Sequence, residues 1–426
     1  METQPGKIPP NDKGSLMQSI KNVYRFCMYL FASPLSAGIF SFIIYAVIAS
    51  QRGLITGIST SPYFNYLADA FLHGQLSLRV IPENLHDLAF FNGQYFMYWP
   101  PFPAVVFMPF IAIFGLGFSD VFFTLCLGAL NVFLFCFTLR LLDKKSLVVI
   151  DPEIRGLLTI FFAFGTVHLF LASLGNVWFT SQVIAFLCCI LVFLAAIGLR
   201  GYPAFFLTGL ALACALLTRN HLVFLGIWPA YYLFHSHKAL PIKKLALHFA
   251  AAALPILLAV LLVAAYNQLR FGSIFEYGLT YQEFGKFFQP DFDAYGHFNI
   301  HYLQTNFFYN FIYYPFPASE ETLLGGSLFL LSPLFFAAFW ALFTSHQRSS
   351  VVVLWLTILA LTIPILLNIG TGWKTFGPRY TLDFTLPLFL LTAIGMQKWP
   401  KWLSSLLVVV SIVHYVVGTL YFISVT

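Results

Sequence analysis

Charge is what this sequence has least of. Only 9% of its 426 residues are charged and 59% are apolar, against roughly 25% charged in a soluble domain. Such a chain cannot cover a water-facing surface, which excludes an ordinary soluble enzyme. Its six cysteines, Cys27, Cys126, Cys136, Cys188, Cys189 and Cys214, lie in apolar runs or at their edges and form no CxxC pair. They read as small buried hydrophobes, not as a disulfide framework. The net charge of +6 gathers into no basic patch interleaved with aromatics, so nucleic acid is not an expected partner. No carboxylate falls near the centre of an apolar run, where ion-coupled transporters usually carry one.

What is present is apolar sequence in long runs, the mark of transmembrane helices. They predict an all-α polytopic membrane protein. Spans are expected at about 27–50, 120–139, 156–173, 177–199, 203–218, 221–234, 246–266, 326–344, 350–368, 380–396 and 401–424, roughly eleven in all. The spans 203–218 and 221–234 share a break at Arg219-Asn220-His221, so a single interrupted element is an alternative there. The run 102–115 is short and broken by Pro100, Pro101, Pro103 and Pro109, which suits an interfacial or re-entrant helix. With that run not crossing and the N-terminus inside, 15 Lys and Arg fall on the inner side and 7 on the outer. If it crossed, the split would be 9 inside against 13 outside, against the positive-inside bias. Residues 1–26 then form a cytoplasmic tail, polar and disordered over 1–20, and 27–426 the membrane domain.

Three outer segments stand out, 51–119, 267–325 and 369–380. The first two are too long for plain connectors, and long ordered loops are often functional. Eleven of the 16 acids fall in these segments or at outer helix ends, which places any chemistry at that face. Within the first segment, Ser61–Gly74 reads as a short amphipathic helix ended by Gly74, with Asp69 and His73 four apart on one face. Asp87 then precedes two aromatic runs joined by Asn92-Gly93, a tight-turn signal. Tyr98-Trp99-Pro100-Pro101 leads into the interfacial helix.

This order resembles the GT-C superfamily of membrane glycosyltransferases, in its protein mannosyltransferase and aminoarabinose transferase branch. The resemblance rests on the YLADAFLHG helix, the acid before the aromatic hairpin, Tyr98 to Pro101, Leu217-Thr218-Arg219-Asn220-His221, Tyr266 to Ser273 with Arg270, and Gly377-Pro378-Arg379-Tyr380. It covers roughly 50–400 and implies a GT-C-like first outer loop carrying interfacial helices. It also implies a polyprenyl-phosphate-linked sugar donor, a lipid, glycan or protein acceptor, and an acid in the first outer loop as general base. In the family that acid sits at the end of the first span. Here that place reads Ile58-Ser59-Thr60-Ser61, so the base is left to Asp69, Asp87 or another group.

Sugar transfer from such a donor needs a base for the acceptor hydroxyl and cations for the leaving phosphate. The base candidates are Asp69 and Asp87. The binding candidates are Arg379, Tyr380, Arg219, His221, Arg270, His73 and Tyr98. Each has a plainer alternative: a pair with His73 for Asp69, a turn cap for Asp87, an i,i+4 pair with Asp383 for Arg379. His297 and His301, with Asp291 and Asp293 upstream, have the spacing of a metal pair, but no cofactor or metal is expected. The expected site is the outer, periplasmic side of a bacterial inner membrane, among membrane lipids. The alternative functions are a lipid or polysaccharide transporter and a non-catalytic partner of glycan assembly.

Overall fold

The computed structural model describes residues 12–53, 55–283, 285, 287–345, 347–370, 372 and 374–426. The tail up to Asn11 and Lys286 therefore lie outside the described residues. From Asp12 the chain is helical, so the disorder expected over 1–20 does not hold for 12–20.

The protein is an integral membrane protein built of helices. In order they are α1 (Asp12–Phe31), α2 (Pro34–Ser50), α3 (Tyr63–Leu72), α4 (Phe102–Phe114), α5 (Asp120–Lys144), α6 (Pro152–Phe164), α7 (Val167–Leu174), α8 (Val177–Gly198), α9 (Gly201–Leu216), α10 (Ile227–His237) and α11 (Ile242–Phe271). After the middle loop come α12 (Gln289–Tyr295), α13 (Leu303–Phe307), α14 (Leu328–Leu331), α15 (Ala341–Thr344), α16 (Arg348–Leu367), α17 (Leu382–Gly395) and α18 (Lys401–Val425). Side-chain caps fix several starts: Ser119, Asp151, Thr166 and Asn176 each accept a backbone N–H from the first turn they precede.

Among the described residues, α5, α8, α11, α16 and α18 are long and apolar enough to cross a membrane. Two bent pairs raise the number to seven. This is fewer than the eleven spans expected. The run 27–50 is divided: the chain turns by 102° between α1 and α2, where Pro34 lacks an N–H to continue the ladder. The run 156–173 bends by 54° between α6 and α7. Helices α9, α10 and α17 have 16, 11 and 14 residues, and even the longest of them reaches only about 24 Å. The alternative of one interrupted element at 203–234 does not hold. The Gly201 N–H donates to His237 Nε2 at 3.1 Å, so the far end of α10 returns to the start of α9.

Two groups of loops are each tied together by contacts of their own. In one group Lys401 pairs with Asp151 and Glu153, Tyr231 bonds Ser349, and Trp228 bonds Ser350. The other group, 51–119, 267–325 and 369–380, surrounds one cavity. In the first of these segments, strands β1 (Leu88–Phe91) and β2 (Gln94–Met97) pair antiparallel around Asn92 and Gly93, both at positive φ, as the tight turn requires. The hairpin, α3 and α4 share a core of Tyr63, Phe64, Leu67, Leu88, Met97 and Phe107. Main-chain bonds tie the three segments together. Glu283 exchanges backbone bonds with Asp87 and Leu88, Ile369 N–H donates to His297 O, and Thr375 N–H donates to Leu323 O.

Candidate active site

A cavity of about 890 Å³ lies among these three segments and the adjoining ends of α8, α16 and α18. One wall carries Asp87. Its carboxylate receives Trp178 Nε1 at 2.9 Å and Gln282 Nε2 at 2.8 Å, with His86 Nε2 at 3.6 Å. Each carboxylate oxygen thus has one N–H donor and keeps lone-pair capacity for a second. The backbone of Asp87 is at φ 67, a region that non-glycine residues seldom occupy. Tight bonds on both sides hold it there. Tyr63 OH donates to His86 O, Asn84 Oδ1 accepts from His86 N–H, and Asn84 Nδ2 donates to Ser61 Oγ.

A second wall is basic. Arg379 is buried, its Nη2 donates to Tyr380 OH at 3.0 Å, and its Nε has no partner. Two guanidiniums approach the Tyr380 ring, Arg379 at 4.6 Å and Arg219 at 5.3 Å from its centre. Gln182 anchors the Arg379 carbonyl from α8 at 2.8 Å. Gly372, at φ 95, gives the Arg379 side chain its room, since a Cβ there would lie 2.5 Å from Nε. Arg52 and Lys374 add two more cations to the lining. Phe287, Phe298, Ile365 and Ile369 add apolar surface to the lining.

Against solved structures, the chain matches ArnT from Cupriavidus metallidurans in two states. With the undecaprenyl phosphate complex the TM-score is 0.51, and with the apo state 0.52, both at 12% identity and 86% coverage of this chain. The fold is ArnT-like. The chain spans about three fifths of the ArnT chain, 62% and 61% in the two cases. No family model and no curated protein matches the sequence.

On this ArnT-like frame, Asp87, Tyr98, Arg219, His221, Arg379 and Tyr380 come together around the cavity. Asp69, His73 and Arg270 do not line it. Asp69 bonds Arg79 Nε at 3.0 Å, with His73 Nδ1 at 3.5 Å. Arg270 donates to Met97 O and to Asn267 Oδ1 and stacks 3.7 Å over Tyr266, clamping the hairpin to α11. The i,i+4 pair of Arg379 with Asp383 does not form. Asp383 bonds Arg219 Nε at 3.1 Å and His221 Nε2 at 2.8 Å instead. The spacing of His297 and His301 builds no shared site either. His301 stacks on Tyr295 at 3.8 Å, whereas His297 lines the cavity. Burial lowers the His297 pKa to about 4, with the nearby Asp87 charge and the Asn368 hydrogen bond opposing.

Trp178, Gln282, Arg52 and Lys374 are lining or Asp87-bonding residues that the sequence reading did not single out, and His297, read there only as half of a metal pair, lines the cavity without His301. The two partners of Asp87 are 91 and 195 residues away, so no local spacing marks them. The missing acid at 58–61 also has a structural answer. Asp120, at the start of α5, receives Ser59 N–H at 2.8 Å and Ser59 Oγ at 2.6 Å. Its carboxylate is fully buried and does not line the cavity.

Proposed function

We propose that this protein transfers a sugar from a polyprenyl-phosphate donor to a hydroxyl of a lipid, glycan or protein acceptor, at the non-cytoplasmic face of a bacterial inner membrane. One observation carries the reading: a single cavity holds a carboxylate on one wall and uncompensated guanidinium and ammonium groups on another. The ArnT-like fold adds weight, since one of the matching ArnT structures is bound to undecaprenyl phosphate. Asp87 is the general base, and Arg379 with Lys374 holds the phosphate. The acceptor oxygen attacks the anomeric carbon as its proton passes to Asp87. The bond from that carbon to the phosphate oxygen breaks, and the electron pair leaves with the phosphate, whose added charge the cations stabilise. A single displacement of this kind inverts the anomeric configuration. The apolar surface of Phe287, Phe298, Ile365 and Ile369 receives the start of the polyprenyl chain.

The test is transfer of labelled sugar from a panel of polyprenyl-phosphate sugars by the purified protein in nanodiscs, with a broad lipid and glycan extract as acceptor. Transfer by the wild type that is lost in Asp87→Asn supports the assignment. No transfer by folded protein from any donor overturns it in favour of a transporter or a non-catalytic partner.

A further inference from the structure

Charge around the cavity is lopsided. Arg52, Arg219, Lys374 and Arg379 line it, while Asp87 is the one side-chain carboxylate among the described lining residues. Arg219 is matched from behind the wall by Asp383. The other three cations have no acid within ion-pair distance among the described residues. A donor phosphodiester brings one negative charge, and the phosphate that leaves brings up to two. With Asp87 ionised and the phosphodiester bound, the three unmatched cations still leave the cavity net positive, and they do so again once Asp87 holds the acceptor proton and the phosphate carries two charges, so nothing is left over for an added cation.

Asp87 has no spare charge to offer. It already faces Trp178 Nε1, Gln282 Nε2 and His86, and the proposed mechanism commits it to the acceptor proton. A sugar bearing an ammonium group would sit in a cation-lined cavity, and like charges so placed are disfavoured. We infer that the sugar this site transfers carries no positive charge: it is a neutral sugar, not an amino sugar with a free amine. This inference rests on the glycosyltransferase reading and narrows its donor class.

The experiment compares three polyprenyl-phosphate donors built on one sugar: the hydroxyl parent, the amino sugar, and its N-acetylated form. Near pH 6.5 the parent should exceed the amino donor in kcat/KM by roughly tenfold or more, with the N-acetyl form closer to the parent. Near pH 9.5, above the ordinary range for such an amine, about 8, the gap should narrow. An amino donor used as well as the parent at the lower pH overturns the inference and leaves the glycosyltransferase reading intact. A gap that does not respond to pH overturns charge as its cause. Absence of transfer from every donor overturns the glycosyltransferase reading itself, and the donor class with it.

Discussion

Exchanging Asp87 and Asp69 for Asn, one at a time, separates chemistry from architecture. In Asp87→Asn the side chain stays isosteric. One oxygen still accepts from Trp178 or Gln282, but the new NH2 group faces the other N–H donor. Losing one such hydrogen bond costs about 1–2 kcal/mol, too little to unfold the chain. Losing the base costs about 10²–10⁴ in rate, or ~3–5 kcal/mol on the barrier. Turnover should therefore collapse, while affinity for undecaprenyl phosphate, on the proposed assignment of the phosphate to the basic wall, stays within about tenfold. Asp69→Asn removes the pair with Arg79, whose side chains are 12% and 37% exposed, and the longer contact with the half-exposed His73. Such a pair contributes about 0.2–1 kcal/mol to stability, and turnover should remain within a few fold of wild type. Initial rates of labelled-sugar transfer, phosphate competition and thermal melting in detergent read these out together. An active Asp87→Asn beside an inactive, well-folded Asp69→Asn would refute the assignment of the base.

Asp383→Asn should be the most destabilising of the site variants. The Asp383 side chain is 1% exposed and serves both Arg219 and His221; breaking a buried pair costs about 3–5 kcal/mol, and an unchanged melting temperature would contradict this. Arg379→Lys keeps the charge but loses the planar fork that bonds Tyr380, so undecaprenyl phosphate affinity should drop roughly tenfold, ~1.4 kcal/mol, with melting unchanged. An unaltered affinity would remove Arg379 from the phosphate site. His297 gives a pH signature. Its folded pKa of about 4 lies below the ordinary 6.5, so the unfolded chain binds the extra proton. Its contribution is complete above pH 6.5 and is lost as pH falls toward 4, by at most ~3 kcal/mol. The pH dependence of melting should be shallower over that window in His297→Gln, and identical slopes would refute it.

How legible all this was in the sequence depends on how local each signal is. The Asn92-Gly93 hairpin was readable because both residues supply the positive φ that the turn needs. The gathering of three loop segments around one cavity was readable because Lys and Arg bias marks which loops share a side. The bend at Pro34 was passed over, since apolarity continues across it and reports burial in lipid, not direction. The Arg379–Asp383 spacing suggested a local pair. Spacing alone does not show that Asp383 meets Arg219 and His221, which approach from a break 162 residues and more earlier in the chain. The choice between Asp69 and Asp87 required the cavity, because both precede aromatic sequence and both have a histidine near.

The absence of an acid at 58–61 looks at first like lost chemistry, and the hydrogen bonds argue otherwise. Asp120 holds Ser59 by its N–H and its hydroxyl, and Ser59 Oγ in turn accepts from the Ser61 N–H. Ser61 Oγ accepts from Asn84, Asn84 caps the His86 N–H, and Asp87 follows. The Ser61 carbonyl also receives the Val177 N–H, one residue before the Trp178 that bonds Asp87. A carboxylate thus still anchors the end of the first span, but from α5 and from behind. Through five short links it fixes the turn that presents Asp87 at φ 67. A conformation this sparsely populated is kept only where its surroundings over-determine it. Here the surroundings do so from both the first loop and α8, so the geometry that presents Asp87 to the cavity is built by hydrogen bonds from two separate parts of the chain.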